Sequence, residues 1–395
     1  MTDLKKEFRA RFPNTAEPLL VWAPGRVNLL GEHTDYNEGF VFPMAIDVGI
    51  YMAGALNKTG EVRLYSLDYQ AGATFALEDI TPSSHDKWTN YIRGVCREFQ
   101  LAGFEPRGMD LLVQGNVPQG AGLSSSAALE VATAVLITAL HAWHVDRVDM
   151  VKMAQRAEND FVGVASGIMD QFASMMGQKD HALFLDCRSL DYELIPTPFE
   201  EQGYAVVVIN SGVRRGLVDS AYNTRRQECT DAVKLLQHAL PGISSLRDVG
   251  IEDLTLVNAL PTSLAQRARH VVTENHRVRV GIEALGAGDL KRFGQELTNS
   301  HRSLQQDFQV SCPELDLLVE LALQVPGVLG SRMTGAGFGG CTVSLVPRAQ
   351  LTLLQESVAR DYLAETNLEA EFYIFSASPG ANVVQQIRAG GSLQS

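Results

Sequence analysis

The sequence predicts two α+β domains. Strand-like segments occur near both ends of the chain, and helical patterns dominate between about residues 220 and 325. This order is typical of α+β folds rather than of a doubly wound sheet, in which strands and helices alternate. The chain has 395 residues, which is too many for one small hydrophobic core and favours two domains.

In the first half, four segments have the apolar and β-branched composition of strands. Residues 19–27, "LLVWAPGRV", predict a short strand that ends at a Pro-Gly turn. The other three are "GFVFPMAIDVGIYMAGAL", "EVRLYSLDY" and "MDLLVQGNVPQ". "NYIRGVCREFQLAG" predicts a helix with a glycine cap. Residues 127–143 lack Gly and Pro and are apolar nearly all round, so they predict a buried helix, and a second helix is expected over residues 146–162.

The second half begins after two paired strands in "ALFLDCRSLDYELIPTPF". A buried strand, "GYAVVVINSG", follows, and the helical region comes next. The strand "CTVSLVP", a helix and a last strand, "AEFYIFSA", complete the fold. We expect the first domain to cover residues 1–185 and the second to cover residues 186–395.

Composition and charge exclude several classes of function. The net charge is -13, with 45% hydrophobic and 20% charged residues, which is ordinary for a globular protein. An acidic surface repels nucleic acid and anionic lipid, so we expect neither nucleic acid nor a membrane as a partner. The N-terminus lacks the pattern of a secretory signal. The five cysteines are far apart and form no C-x-x-C pair, which favours free thiols in a reducing cytoplasm.

The segment "PGRVNLLGEHTDYNEG" concentrates polar side chains among glycines and turn formers. It carries Arg26, Glu32, His33 and Asp35. Carboxylates and an imidazole have fixed hydrogen-bond directions and can hold several hydroxyl groups of a ligand. Two alternatives stay open: an ordinary polar loop, and a metal site at His33 and Asp35. The metal site is disfavoured because no further His or Cys stands nearby at ligand spacing.

The segment "GNVPQGAGLSSSAALEVATAVLITAL" places glycines and three serines directly before an apolar helix, expected to begin near Ala127. Unpaired N–H groups at a helix N-terminus attract anions, so we interpret the segment as a phosphate-binding loop. A Gly/Ser turn before a core helix is the alternative. The lysine of the G-x-x-x-x-G-K-[ST] loop is absent, and so are the protein-kinase motifs H-R-D and D-F-G.

Two further segments carry possible chemistry. "QRAENDFVGVASGIMDQ" contains Glu158 on a predicted helix and Asp170 beyond a Gly-rich turn. Two carboxylates near a phosphate loop suit one metal-holding role and one base role, although solvent-facing acids are the alternative. "GAGFGG" matches G-x-G-x-x-G, but it precedes a strand instead of opening a helix, so a dinucleotide-binding loop is excluded.

Together, these four segments resemble the GHMP small-molecule kinases, and among them the members that phosphorylate galactose. "GRVNLLGEHTDYNEG" is similar to the sugar signature of those members, and "PQGAGLSSSA" to the family's phosphate loop. "SGIMDQ" resembles the segment of the catalytic aspartate, and "MTGAGFGGC" the glycine-rich third motif. Leu30 and Glu38 depart mildly from the family pattern, in which Ile and Asp are expected at these positions. The resemblance covers nearly the whole chain and implies a two-domain GHMP kinase fold with the active site in the cleft between the domains.

The resemblance also implies an activity and the residues that perform it. The γ-phosphate of ATP would pass to the 1-hydroxyl of α-D-galactose, with Mg²⁺ as cofactor. Asp170 and Arg26 would be catalytic. The residues implied for galactose are Glu32, His33, Thr34, Asp35, Gly167 and Tyr222. Those implied for ATP are Gly120, Ala121, Gly122, Leu123, Ser124, Ser125 and Ser126 in the loop, with Ser66 and Trp88 at the adenine. Ser126 and Glu158 would hold Mg²⁺, and the enzyme is expected to be a cytoplasmic monomer.

Two other functions stay open at this point. One is a kinase of the same family that acts on N-acetylgalactosamine or on a non-sugar alcohol. The other is a galactose sensor without catalysis. The "GEHTDYNEG" stretch disfavours a non-sugar acceptor. The sensor is disfavoured because Asp170 and the predicted phosphate-binding loop, residues 120–126 (called the serine loop below), are both present.

Overall fold

Two β-sheets organise the part of the protein that is described. The structure is a computed structural model that describes residues 3–118, 120–164, 166–213 and 218–384. Its strands are β1 (Leu19–Leu30), β2 (Phe40–Leu56), β3 (Glu61–Ser66), β4 (Ala71–Ala76), β5 (Met109–Gly115), β6 (His181–Asp186), β7 (Tyr192–Pro196), β8 (Tyr204–Asn210), β9 (Gly330–Thr334), β10 (Cys341–Pro347), β11 (Glu371–Phe375) and β12 (Asn382–Val384).

The helices cover the sheets and separate them along the chain. They are α1 (Leu4–Arg11), α2 (Thr89–Leu101), α3 (Ser125–Leu140), α4 (Arg147–Arg156), α5 (Met169–Met176), α6 (Val218–Leu236), α7 (Leu254–Asn258), α8 (Thr262–Gly286), α9 (Leu290–Ser303), α10 (Pro313–Gln324) and α11 (Leu351–Thr366). Two short π-helical segments continue α4 and α9, at Ala157–Val162 and Leu304–Phe308. No helix in the described ranges is both long enough and apolar enough to cross a bilayer.

The first sheet has the order β12-β1-β2-β5-β3-β4, with β6 beside β2 and β7 beside β6. All pairings are antiparallel except β3 with β5. Successive side chains of β1 point to opposite faces of the sheet, and both faces are covered. Val21 and Ala23 face the core beneath helices α2 to α5. Leu20 and Trp22 face a smaller core that α1 covers through Phe8.

The second sheet has the order β11-β8-β10-β9 and is antiparallel throughout. One face packs on α10 and α11, for example where Val207 meets Leu318 and Val358. The other face belongs to a core shared with the first domain. In that core Val208 and Val343 of the second sheet join Phe42 of β2. The two domains are therefore joined by apolar packing as well as by chain connections.

Strand β1 continues through Pro24 and Gly25, so the predicted Pro-Gly turn is wrong. The pairing with β2 shifts register between Pro24 and Arg26, and such a bulge bends a strand without ending it. Gly49 pairs with Pro24 across the bend. A Cβ atom at Gly49 would overlap the carbonyl oxygen of Ala23, which explains why the close approach needs glycine.

The other predicted strands and helices are confirmed within a few residues. α3 begins at Ser125 rather than near Ala127. The sequence did not predict α5, which places Asp170 in the first turn of a helix instead of beyond a turn. The glycine-rich segment 335–340 lies between the paired strands β9 and β10.

A division of the chain at residue 185 separates strands that pair with each other. β7 lies after that point but pairs with β6 in the first sheet. β12, near the end of the described chain, pairs with β1. We therefore propose that the change of domain falls between residues 196 and 204 and that the chain returns to the first domain at β12.

The glycine pair across the β1 bend gives a stability test. Gly49→Ala places a methyl group against the backbone of Ala23 and Pro24, so we expect urea denaturation to show a loss of about 1–3 kcal/mol. Gly60→Ala is the matched control, because nothing lies within 4 Å of its Cβ position, and it should change stability by less than about 0.5 kcal/mol. Equal effects of the two variants would contradict the packing argument.

Candidate active site

Two neighbouring cavities contain most of the predicted site residues. The first cavity has a volume of about 190 Å³ and is lined by Arg26, Glu32, His33, Asp35, Glu158, Val164, Ser166, Gly167, Met169, Asp170, Tyr222, Gly335 and Ala336. The second cavity has a volume of about 310 Å³ and is lined by Ile50, Ser66, Asp68, Tyr69, Trp88, Tyr91, Val113, Gly115, Val117, Ser125, Ser126 and Leu129.

An arginine–aspartate pair lies in the first cavity. Arg26 donates from Nε and Nη2 to the two carboxylate oxygens of Asp170, at 2.7 Å each. This two-pronged geometry is the strongest arrangement for such a pair. The third nitrogen, Nη1, donates to the carbonyl oxygen of Gly122 at 2.7 Å. The Ser124 hydroxyl also donates to Asp170. Strand β1, the serine loop and helix α5 are thereby tied together at one carboxylate.

The loop before α3 has the backbone geometry of an anion site. Gly120, Gly122 and Ser124 all have positive φ angles, at 72°, 67° and 60°, and such alternation is found in backbone nests that bind anions. Ser124 precedes the helix, yet its side chain caps no helix N–H group, because the hydroxyl bonds to Asp170 instead. The first N–H groups of α3 therefore stay available to a ligand.

Glu32 is a buried carboxylate with a defined orientation. Its Oε1 accepts hydrogen bonds from Thr334 Oγ1 at 3.0 Å and from Gly335 N at 2.7 Å. Arg332, which is fully buried, forms an ion pair with the same oxygen at 2.7 Å. These contacts join the second domain to the loop between β1 and β2 of the first domain, residues 31–39, which we call the polar loop.

His33 is held in a buried aromatic cluster. Its ring lies 4.7 Å from the Phe308 ring and 5.6 Å from the Tyr222 ring, centroid to centroid. Nδ1 lies 2.9 Å from the Tyr36 hydroxyl. Burial, and then the charges of His270 and Arg332, lower the pKa of His33 to about 3. The imidazole is therefore neutral near pH 7 and can both donate and accept hydrogen bonds.

Asp35 and Gly167 fit closely against each other. A Cβ atom at Gly167 would overlap the Asp35 carboxylate, so glycine is required there. Burial raises the pKa of Asp35 to about 7, with further contributions from the charges of Asp170 and Glu32. Burial and the charge of Asp35 also raise the pKa of Tyr222 well above its ordinary value, so its hydroxyl stays a hydrogen-bond donor.

Among the residues implied for galactose, Thr34 is the one that does not line the first cavity. Its hydroxyl oxygen lies 2.8 Å from the carbonyl oxygen of Gly31 and 2.6 Å from that of Phe40, which share its one proton, and the side chain is fully buried. The hydroxyl stabilises the loop that carries Glu32 and Asp35, so we assign Thr34 to loop structure.

Glu158 and Ser126 meet where the two cavities adjoin. Glu158 lines the first cavity and Ser126 the second, and the Ser126 side chain lies close enough to Glu158 to lower the pKa of its carboxyl, against the larger effect of burial. Glu158 lies on the π-helical segment Ala157–Val162, a distortion that is frequent at functional sites. Its Oε2 also accepts from Ser166 Oγ at 2.7 Å and from Gln171 Nε2 at 2.8 Å.

The predicted adenine residues lie together in the second cavity. Ser66 ends β3, and Trp88 precedes α2. The Trp88 ring lies 5.9 Å from the Tyr69 ring. Aromatic rings and the first two serines of α3 line this one cavity.

Some residues of the site were not predicted from the sequence. Arg332, Ser166 and Gln171 contact predicted site residues. Ser166 and Gln171 lie inside the segment "SGIMDQ" and Arg332 directly precedes "MTGAGFGGC", but these three residues were given no role. Glu130 is also fully buried and holds Gln171 Nε2 at 2.9 Å. Its spacing of four residues from Ser126 on α3 was a signal, since such residues share one helix face.

Comparison with known proteins identifies the family. Three family models match, described as the GHMP kinases N terminal domain (residues 90–178), the galactokinase galactose-binding signature (6–56) and the GHMP kinases C terminal (282–364). The galactokinase of Roseiflexus sp. (strain RS-1) is 47% identical over 367 residues, which cover 93% of each chain. The chain belongs to the galactokinase family.

Other galactokinases match over almost their whole length. The galactokinase of Fusobacterium nucleatum is 43% identical over 390 residues, which cover 98% of this chain and 100% of that protein. The crystal structure of Lactococcus lactis galactokinase complexed with galactose has a TM-score of 0.92 and 38% identity, and the match covers 96% of this chain and 98% of that one. Tyr222 lies outside the residue ranges that the three family models match. The evidence that it lies beside His33 is the distance between the two rings in the structure.

The raised pKa of Asp35 predicts a pH-dependent effect on stability. The carboxyl of Asp35 has a pKa of about 3.9 in the unfolded chain and a pKa of about 7 in the folded protein, so its charge destabilises the fold progressively as the pH rises from 4 to 7. Asp35→Asn keeps an oxygen for the N–H group of Tyr36, which Asp35 Oδ1 now accepts at 2.9 Å. We expect the variant to be more stable by about 1–3 kcal/mol at pH 8.

Thermal denaturation across pH 4 to 8 measures this difference. Near pH 4 the two proteins should have similar melting temperatures. A stabilisation that is the same at pH 4 and pH 8 would show that the charge of Asp35 is not the cause.

Proposed function

We propose that this galactokinase-family enzyme transfers the γ-phosphoryl group of ATP to the 1-hydroxyl of α-D-galactose, giving α-D-galactose 1-phosphate and ADP. The observation that carries the proposal is the Asp170 carboxylate, fixed by Arg26 and Ser124 between the phosphate loop and the first cavity. The Lactococcus lactis relative is described as complexed with galactose, which supports the same sugar here.

The first cavity is our proposed galactose site. Glu32, His33, Asp35 and Tyr222 would each face a sugar hydroxyl, and Gly167 would leave room for the ring. These side chains supply fixed acceptors and donors, and a site built that way rejects a sugar that leaves them unpaired. Galactose and glucose differ at C4, and we assign that discrimination to Asp35 and Tyr222.

The serine loop and the second cavity are our proposed ATP site. Backbone N–H groups from residues 120 to 126 would hold the phosphates, supported by the positive end of the α3 dipole. Ser66 and Trp88 would contact the adenine. The proposal is supported by the lining of the second cavity, in which Ser125 and Ser126 lie together with Ser66 and Trp88.

Ser126 and Glu158 are the proposed protein ligands of Mg²⁺. Both offer oxygen atoms, which Mg²⁺ prefers. Burial raises the pKa of Glu158, and no arginine or lysine in the described ranges forms an ion pair with it, so a cation there would offset an otherwise uncompensated charge. No three His, Cys, Asp or Glu side chains among the described residues form a metal-holding group. When bound, Mg²⁺ supplies charge neutralisation at the phosphates.

The protein's own contribution to the reaction is mainly alignment and charge. Asp170 accepts two hydrogen bonds from Arg26 and one from Ser124. A carboxylate has about four acceptor sites, so one remains for the 1-hydroxyl of the sugar. Asp170 would align that oxygen for in-line attack and accept its proton as the new P–O bond forms. In a loose transition state, positioning of this kind matters more than base strength.

A substrate comparison tests the proposal directly. ADP release should be fast with galactose and weak with glucose and N-acetylgalactosamine, measured side by side with saturating ATP. Preferred turnover of N-acetylgalactosamine would favour the related sugar kinase. No ADP release with any sugar, combined with galactose binding, would favour a sensor. We also propose that the enzyme is a cytoplasmic monomer, which size-exclusion chromatography can check for its oligomeric part.

Asp170→Asn separates catalysis from sugar binding. The amide cannot accept the proton and presents an N–H group toward Arg26, so we expect kcat to fall by about 10²–10⁴-fold. Galactose affinity, measured by calorimetry, should change little, because the residues of the polar loop are intact. Asp160→Asn, on an exposed side chain of the neighbouring π-helical segment, is the control. Near-normal turnover of Asp170→Asn would refute the assignment.

A further inference from the structure

Side chains of helix α8, in the second domain, contact backbone groups of the polar loop and of the residue that follows it. The polar loop covers residues 31–39 and connects β1 with β2, which begins at Phe40. The backbone N–H groups of Gly31, Glu32 and Phe40 donate hydrogen bonds to side chains of α8. This arrangement crosses the boundary between the two domains.

Glu274 makes the first part of this contact. It is fully buried, and its Oε1 accepts from the backbone N–H groups of Gly31 at 2.9 Å and of Glu32 at 3.3 Å. Ser300 donates to the same oxygen at 2.7 Å, and Arg277 Nε donates to Oε2 at 2.6 Å. Although burial opposes ionisation, the Arg277 charge holds the pKa of Glu274 below its ordinary value, so a full negative charge faces the two N–H groups.

His270 and Asn275 complete the contact from the same side of α8. His270 Nε2 lies 3.0 Å from the carbonyl oxygen of Glu32, and its Nδ1 lies 2.9 Å from Ser303 Oγ. Asn275 Oδ1 accepts from Phe40 N at 2.9 Å. A Cβ atom at Gly39 would overlap that oxygen, so the end of the loop is shaped to meet it. Both side chains are at least nine-tenths buried.

We propose that Glu274, His270 and Asn275 are positioning residues that set galactose affinity by fixing the backbone on which Glu32, His33 and Asp35 stand. Together they hold the start of the loop, at residues 31–32, and the residue that directly follows it, Phe40. The inference rests on the proposed function of the first cavity as a galactose site. None of the three lines that cavity, so each acts through the loop.

The location of the contact explains why it affects the sugar rather than ATP. Side chains that hold hydroxyl groups need correct placement to within about 0.5 Å. The Glu32 side chain is oriented at its tip by Arg332 and Gly335, and α8 orients its backbone. The serine loop, in contrast, contacts β1 and α5 and does not depend on these α8 side chains.

The test compares two substitutions at one position. Asn275→Ala removes the acceptor for Phe40 N, whereas Asn275→Asp keeps an oxygen there. The Asn275 Nδ2 group makes no hydrogen bond among the described residues, so Asp loses no partner. Thr273→Val is the control, because its hydroxyl donates to the carbonyl oxygen of Arg269 inside α8 at 2.7 Å. Glu274→Gln is a second probe, but its buried ion pair makes folding sensitive to it, so the Asn275 pair carries the decision.

Galactose Kd is measured by calorimetry on the full chain without nucleotide, and KM is then measured for galactose and for ATP. We expect Asn275→Ala to raise the galactose Kd and KM about tenfold, as for one lost hydrogen bond of about 1.4 kcal/mol. Asn275→Asp should recover binding to within about threefold of wild type. The KM for ATP should stay unchanged in all variants, and Thr273→Val should bind galactose normally.

Two results would overturn the inference. One is wild-type galactose affinity in Asn275→Ala together with a lowered melting temperature, which would mean that α8 is only a scaffold. The other is a parallel loss of ATP and galactose binding that Asn275→Asp does not recover. If the wild-type protein itself does not bind galactose, the proposed function fails instead, and the two failures are thus distinguishable.

Discussion

The fork between Arg26 and Asp170 is the interaction on which the active site depends. It joins a strand, a glycine-serine loop and a helix that lie far apart in sequence, and the Arg26 side chain is almost fully buried. Removing one partner of such a pair leaves an uncompensated charge, which costs about 3–5 kcal/mol. The same bonds that place the carboxylate also place the loop. Chemistry and local folding therefore share one set of contacts, and a change to one affects the other.

The use of Ser124 illustrates how closely these roles are linked. A serine at the start of a helix ordinarily caps the first N–H groups. Here the left-handed backbone of Ser124 turns its hydroxyl toward Asp170, and the helix amides stay free for an anion. The loop itself contains no lysine, but Arg26 reaches it from β1 and donates to the Gly122 carbonyl oxygen. If the loop binds phosphate as we propose, the positive charge that a lysine supplies in the familiar nucleotide loop would come here from a different strand.

Much of this could be predicted from sequence, because the site residues stand in short local patterns. Glu32, His33 and Asp35 lie within four residues of one another, and Ser124 stands at the start of an apolar helix. The partners that hold them could not be predicted. Arg332 and Glu274 lie more than 200 residues from the loop they support, and no local pattern encodes such a pairing. Pro24 misled for a related reason, since its turn propensity was overridden by a bulge that Gly49 permits. For Thr34 the sequence cannot show which way the hydroxyl faces, because a hydroxyl inside a motif looks the same whether it meets a ligand or its own loop.

The return of the chain to the first sheet at β12 has a mechanical consequence. The chain crosses between the domains once before β8 and again after β11, and these two strands are neighbours, with Phe375 paired to Val206. The crossings are also joined directly, because Ser376 Oγ donates to Glu200 at 2.6 Å. Two adjacent covalent connections restrain the relative movement of the domains more than a single connection would. The polar loop and its α8 supports therefore keep their relative positions through the covalent chain as well as through the packing of the shared core.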